Sequence, residues 1–95
     1  MDTSTEMPKY RCHKEVHALK IQDIEYDHVA AKKEGRETDG SALIHPEEDG
    51  FAPFKVDANY LNKHSPVAGG YYVVYSDGYQ SFSPAAAFEG GYVRV

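Results

Sequence analysis

The segment YYVVYSDGYQSF, residues 71–82, constrains the fold more than any other part of the chain. Two runs of aromatic and β-branched residues flank Asp77 and Gly78. An Asp-Gly pair between such runs is the strongest short-range signal of a β-hairpin. The sequence therefore predicts two antiparallel strands over residues 71–75 and 79–83.

Two turn geometries fit this hairpin, and the sequence does not choose between them. In a two-residue turn Tyr75 and Phe82 share a face, whereas a bulge at Gly78 places Tyr75 opposite Tyr79 and puts Tyr72 beside Phe82. With either turn, both faces carry aromatic residues. Such a hairpin is covered on both sides by the rest of the domain, or it presents tyrosines to a partner.

The aromatic residues of the hairpin are the predicted partner-binding site if the second alternative holds. Tyrosine suits this role because its ring buries well, its hydroxyl remains hydrated, and it is enriched at interface hot spots. The predicted residues are Tyr71, Tyr72, Tyr75, Tyr79 and Phe82.

The first half of the chain predicts a leader, a long strand and a loop. Residues 1–9 are polar and indicate a flexible leader, whereas the apolar residues of EVHALKIQDIEY follow neither period 2 nor period 3.6 and indicate a strand with a bulge. The charged residues 27–40 indicate a surface loop that can include a helical turn at 29–34. SALIHP is a short strand that forms a hairpin with the long one, and FAPFKV allows another short strand.

Two short helices are expected in the second half. Asp57 is a good N-cap for a helix over residues 58–64, and Val56 and Leu61 are spaced as a hydrophobic staple. Ser83 as cap and Pro84 at the first helical position start the second helix, and YVRV forms a terminal strand. The prediction is one α+β domain over residues 10–95, with a small, mainly antiparallel sheet that curls toward a barrel.

Composition argues against several classes of function. The net charge is −5, with 15 acidic residues against 10 Lys and Arg, which disfavours direct binding to nucleic acid. No apolar run approaches the roughly 20 residues that span a membrane. A single cysteine, Cys12, allows no internal disulfide and favours a reducing compartment, so we expect a cytoplasmic protein.

The sequence contains no convincing catalytic motif, so we expect no enzymatic activity and no cofactor. A weaker alternative is a metal or small-molecule site that uses Cys12, His13, His17 or His64. On an extended strand His13 and His17 stand roughly 13 Å apart, too far for one ion, although a helix would bring them together. A homodimer that pairs exposed strand edges is a third hypothesis.

The stretch GGYYVVYSDGYQSFSPAAAFEGGYVRV, together with YRCHKEVHALKI, resembles small uncharacterised proteins encoded by bacteriophages and prophages of proteobacteria. The resemblance covers residues 10–26 and 51–95, and its motifs are structural. It implies a phage or prophage setting more than an activity. Together with the lack of a catalytic motif and the aromatic hairpin, it leads us to expect a non-enzymatic accessory protein that binds a host or phage protein in the bacterial cytoplasm. It implies no site residue.

Overall fold

The computed structural model describes residues 7–11 and 15–95, so residues 1–6 of the predicted leader lie outside the described part. The elements are, in chain order, β1 (Lys9–Arg11), β2 (Glu15–Tyr26), α1 (Asp27–Glu34), β3 (Ala42–Pro46), β4 (Phe54–Val56), α2 (Ala58–His64), β5 (Tyr71–Val74), β6 (Gln80–Ser83), α3 (Ala85–Gly91) and β7 (Val93–Arg94). The prediction of an α+β fold with a mainly antiparallel sheet is confirmed. Within the described residues the sheet is not closed into a barrel, so the expected curling stops short of closure.

The long strand β2 organises the sheet. Its first half pairs antiparallel with β1 and β5, and its second half pairs with β3. The register shifts between Ile21 and Asp23, which confirms the predicted bulge. Because a one-residue shift exchanges the two faces of a strand, Ile24 packs against the same core as Leu19 and Ile21. The irregular apolar spacing of EVHALKIQDIEY follows from this bulge.

A hydrophobic core lies on each face of the sheet, so β2 and β5 carry apolar side chains on both faces. α2 contributes Tyr60 to the first core, and α3 contributes Phe88 to the second. The first core contains Met7, Leu19, Ile21, Ala42, Ile44, Val56, Tyr60, Tyr72 and Val74. The second contains Val16, Ala18, Tyr71, Val73 and Phe88.

The hairpin adopts the second of the two predicted registers. Tyr72 pairs with Phe82 across β5 and β6, and the Tyr75 N–H donates to the Tyr79 carbonyl at 3.0 Å. The Gly78 N–H donates to the Tyr75 carbonyl at 2.9 Å, and Gly78 has a φ of 88°. A two-residue type I′ turn would require a positive φ at Asp77 as well as at Gly78, but Asp77 does not have one. The positive φ therefore falls on glycine alone, as the bulged turn requires.

The structure has three helices among its described residues, where the sequence predicted two. The extra helix, α1, occupies the first part of the predicted loop at 27–40 and buries only Ala31. Its ends are nevertheless well formed, with Asp27 in the first turn, Lys32 and Lys33 in the last turn, and Gly35 in the left-handed conformation at its C-cap. The nearly complete absence of an apolar face made this helix resemble a loop.

The other two helices lie where they were predicted, with one change at a boundary. Asp57 caps α2, and its side chain accepts from the Tyr60 N–H at 2.9 Å. α3 begins at Ala85 with Pro84 as its N-cap, so Ser83 belongs to β6 and does not cap the helix. The first turn of α3 closes where the Phe88 N–H donates to the Pro84 carbonyl at 3.0 Å.

The described end of the predicted leader is part of the domain. Met7 is 6% exposed in the first core, and the Ala18 N–H donates to the Pro8 carbonyl at 2.9 Å. Lys9 opens β1. Residues 7–9 are therefore held by the sheet.

None of the helices in residues 7–11 and 15–95 is long and apolar enough to cross a membrane.

Candidate partner-binding site

The five predicted partner-binding residues divide into core and surface. Tyr71 and Tyr72 are only 6% and 5% exposed, and Phe82 is half-buried against the first core. These three rings pack in or against the hydrophobic cores, so they expose little surface to a partner. Tyr79 is 42% exposed and Tyr75 is half-buried at the end of the hairpin. The predicted site narrows to Tyr75 and Tyr79.

Tyr71 has a structural role that its burial explains. Its ring stacks on Phe88 with centroids 4.2 Å apart, and its hydroxyl donates to Glu89 Oε2 at 2.8 Å. The Lys20 ammonium lies 3.3 Å from the same carboxylate oxygen. Burial raises the pKa of the Tyr71 hydroxyl, whereas the hydrogen bond from Tyr71, followed by that from Lys20, lowers the pKa of Glu89. These contacts hold α3 against the hairpin.

The end of the hairpin and the last turn of α2 together form an aromatic and basic surface. The rings of Tyr75 and Tyr79 are stacked, with centroids 5.9 Å apart. His64 meets Tyr79 edge-on at 5.9 Å, and the Lys63 ammonium lies 4.9 Å from the centre of the Tyr79 ring. We call Lys63, His64, Tyr75 and Tyr79 the hairpin-tip surface.

The sequence of α2 explains why its last turn meets the hairpin. Residues three and four apart lie on one side of a helix, so Tyr60, Lys63 and His64 are neighbours. Tyr60 points inward and donates its hydroxyl to the Ser81 carbonyl at 2.7 Å, which fixes α2 to β6. A groove of about 300 Å³ remains between α2 and residues 78–80, and Lys63, His64 and Tyr79 line it.

Lys63 was not among the residues predicted from sequence, and His64 was predicted only as an alternative metal ligand. The spacing in ANYLNKH could have indicated this surface, because one side of the helix carries an aromatic residue followed by two basic residues. Tyr79, which these residues meet in space, belongs to a separate element of the sequence, and the fold alone brings them together.

The alternative metal site is not assembled from the described residues. His17 lies in β2 opposite Val74, whereas His64 lies at the end of α2 among the rings of Tyr60 and Tyr79. Cys12 and His13 lie outside the described residues. Within residues 7–11 and 15–95 no three His, Cys, Asp or Glu side chains are grouped closely enough to hold a metal ion.

A second concave region lies near α1 and is occupied by internal ion pairs. Arg36 donates through Nη2 and Nη1 to both carboxylate oxygens of Asp27, at 2.9 and 3.0 Å. Lys55 donates to Asp39 Oδ2 at 2.8 Å. The hydrogen bonds from Arg36 and Lys55 are the main reasons that the pKa values of Asp27 and Asp39 are lowered. These charges neutralise one another and order the segment after α1.

A third recess, of about 280 Å³, is lined mostly by apolar residues of the first core, among them Leu19, Phe51, Phe54 and Tyr72. Its wall offers few polar groups that would orient a ligand. The hairpin-tip surface is the better candidate for recognition of a partner, because it combines the exposed ring of Tyr79 and the half-buried ring of Tyr75 with the Lys63 ammonium.

The chain is similar in structure to a known phage protein. No protein-family model and no curated protein sequence matches the chain. Among solved structures, the NMR solution structure of the monomeric form of the phage L decoration protein superimposes with a TM-score of 0.64 and 26% sequence identity. The match covers 92% of this chain and 58% of that chain, so this chain spans less than two thirds of its neighbour's length. The chain is thus similar, over nearly its whole length, to part of a phage decoration protein.

Proposed function

We propose that the chain is a non-enzymatic accessory domain of a phage particle, which attaches to an assembled capsid as a decoration protein does. The similarity to the phage L decoration protein over 92% of the chain carries this proposal. The partner we propose is a phage structural protein, where the sequence led us to expect a host or phage protein. The place of action we propose is the surface of a capsid, where the sequence led us to expect the host cytoplasm.

The organisation of the domain agrees with a binding role. Both faces of the sheet are covered from within the domain, by α2 on one core and by α3 on the other. Both cores are therefore covered by side chains of the domain itself, and its exposed side chains face outward. Recognition by surface side chains is the function that such an arrangement supports.

The proposal is tested by co-sedimentation with capsids purified from a phage or induced prophage that encodes this chain. Purified protein is mixed at increasing concentration with capsids stripped of accessory proteins, and pelleted through a sucrose cushion. We expect saturable recovery of the protein in the capsid pellet. A pellet that contains no more of this protein than of an unrelated acidic protein of similar size would overturn the proposal.

A further inference from the structure

The hairpin-tip surface carries the positive charge of Lys63, which forms no ion pair with the described residues. Lys63 is exposed, and no carboxylate among the described residues lies within ion-pair distance of its ammonium. Most other basic side chains do have such a partner. Those that form ion pairs are Lys9, Arg11, Lys20, Arg36, His45, Lys55 and Arg94.

Two carboxylates that border this surface each accept a hydrogen bond from a backbone N–H, and neither forms an ion pair with Lys63. Asp57 Oδ1 accepts from the Tyr60 N–H at 2.9 Å, and Asp77 Oδ1 accepts from the Tyr79 N–H at 3.0 Å. Asp57 caps the opposite end of α2 from Lys63. The Lys63 ammonium instead lies over the ring of Tyr79, and the side chain is exposed to solvent.

We infer that the hairpin-tip surface docks onto a carboxylate-bearing patch of the capsid, with Lys63 pairing the carboxylate and Tyr75 and Tyr79 covering apolar surface beside it. The inference rests on the proposed function. In a chain of net charge −5, an acidic partner is repelled by most of the surface, so cations without an ion pair favour its approach. Of the described lysines without an ion pair, Lys63 is the one that lies over an aromatic ring. Rings stacked beside that cation add contact area with little loss of side-chain entropy.

Two residues near α1, Lys33 and Tyr26, serve as matched controls for Lys63 and Tyr79. Lys33 is also exposed, lies in the last turn of a helix, α1, and has no ion-pair partner among the described residues. Tyr26 is 37% exposed, close to the 42% of Tyr79, and its ring lies against His28 as that of Tyr79 lies against His64. Each control has the same side chain as its counterpart at a different position in the fold, and the cation–ring contact of Lys63 has no equivalent at Lys33 among the described residues.

The chemistry is tested first without a capsid, by NMR titration of the labelled protein with acetylated hexaglutamate and, separately, hexalysine. We expect hexaglutamate to shift the amides of residues 63–64 and 75–80, and to do so less as salt is raised, because exposed charge pairs are screened. Hexalysine should leave these amides in place. Hexaglutamate shifts that are absent, or that centre on α1, would overturn the inference.

The capsid assay then separates the inference from the proposed function. With wild-type protein bound to capsids, Lys63→Glu and Tyr79→Ala should each weaken binding by about tenfold or more, whereas Lys33→Glu and Tyr26→Ala should bind as wild type does. Lys63→Gln, which removes the charge without reversing it, should lie between. If Lys63→Glu and Lys33→Glu bind equally well, the inference fails and the decoration role stands.

Failure of the wild-type protein itself to bind capsids would instead overturn the proposed function, and the peptide titration would still decide whether this surface recognises carboxylates. Circular dichroism of every variant excludes unfolding as the cause of lost binding. A Tm that falls equally in Lys63→Glu and Lys33→Glu would reflect the placement of an acid at a helix C-terminus, which both variants share.

Discussion

The ring of Tyr71 stacks on that of Phe88 with centroids 4.2 Å apart and planes inclined by 23°. This contact joins β5 to α3, and Glu89, the next residue of α3, accepts a hydrogen bond from the Tyr71 hydroxyl. Tyr10 of β1 meets Phe88 edge-on at 4.8 Å, so the same ring also connects the helix to another strand. Phe88 is therefore the centre of the second core.

Replacing Phe88 with alanine should destabilise the domain by about 3–5 kcal/mol, because it removes a buried ring and leaves a cavity between Tyr10, Tyr71 and Tyr92. Urea unfolding followed by circular dichroism measures the change. Ala86→Ser, on an exposed position of the same helix, should change stability by no more than about 0.5 kcal/mol. Equal midpoints for the two variants would show that α3 contributes little to the core.

A second prediction concerns Gly70, which precedes β5. A Cβ at this position would fall on the ring of Phe82 and lie 3.0 Å from the Ser83 carbonyl oxygen. Gly70→Ala should therefore cost about 1–3 kcal/mol through overpacking. The double variant Gly70→Ala, Phe82→Leu should cost less than the sum of its single changes, because the smaller side chain makes room.

The control for this prediction is Gly90→Ala, since a Cβ there meets nothing within 4 Å. It should be neutral or slightly stabilising, because alanine favours a helix more than glycine does. The urea unfolding midpoints of these variants and of the wild type measure the changes in stability. A Gly70→Ala protein as stable as wild type would contradict the close approach of the Phe82 ring to the backbone at Gly70.

Local chemistry allowed much of the fold to be predicted from sequence. The Asp-Gly hairpin, the Asp57 cap and the bulge in β2 each depend on a few adjacent residues, and all three are present. Longer-range packing decided the rest. The turn at Gly78 could not be chosen locally, and the bulged register places Tyr72, Val74 and Phe82 on the first core.

The candidate site was harder to predict because it joins distant segments. Sequence identified the hairpin tyrosines as a group, but which of them are buried depends on where α2 and α3 pack. Tyr71 meets Phe88 and Tyr72 meets Tyr60, and neither contact is visible in the local pattern. Helix α1 was expected only as a helical turn at 29–34 within a loop, for a different reason: only Ala31 is buried, so the stability of the helix depends on its ends and on Asp27.

Asp27 should make the domain sensitive to acid. Its pKa is lowered chiefly by the hydrogen bond from Arg36 and then by that from the Asp39 N–H, whose nitrogen lies 3.2 Å from Oδ2. A carboxylate whose pKa is lower in the folded state stabilises that state above its ordinary pKa of about 4, and this contribution is lost as pH falls. Asp27→Asn should therefore lower Tm at pH 7 and flatten the decline of Tm between about pH 5 and pH 2.

The control for Asp27 is Glu37→Gln, which removes a charge from the same segment where no ion pair is formed within the described residues. Its Tm profile should follow that of the wild type. Thermal unfolding recorded at a series of pH values gives both profiles. If Asp27→Asn and wild type lose stability in parallel on acidification, the Asp27–Arg36 contact does not hold the segment after α1.

Tyr60 should make the domain sensitive to alkali, because its pKa is raised where that of Asp27 is lowered. Burial, and then the proximity of Tyr72, raises the pKa of the Tyr60 hydroxyl above its ordinary value of about 10. In the unfolded chain this hydroxyl ionises first, so stability is full below about pH 10 and falls as pH rises further. Tyr60→Phe should cost about 1 kcal/mol of stability at pH 7, because the Ser81 carbonyl loses its 2.7 Å hydrogen bond. Because phenylalanine cannot ionise, the variant should lose less stability than wild type between about pH 9 and pH 12. Urea unfolding across this range measures both effects, and Tyr79→Phe makes the same chemical change on the surface. A Tyr60→Phe curve that parallels wild type at every pH would show that the Tyr60 hydroxyl is not buried against β6.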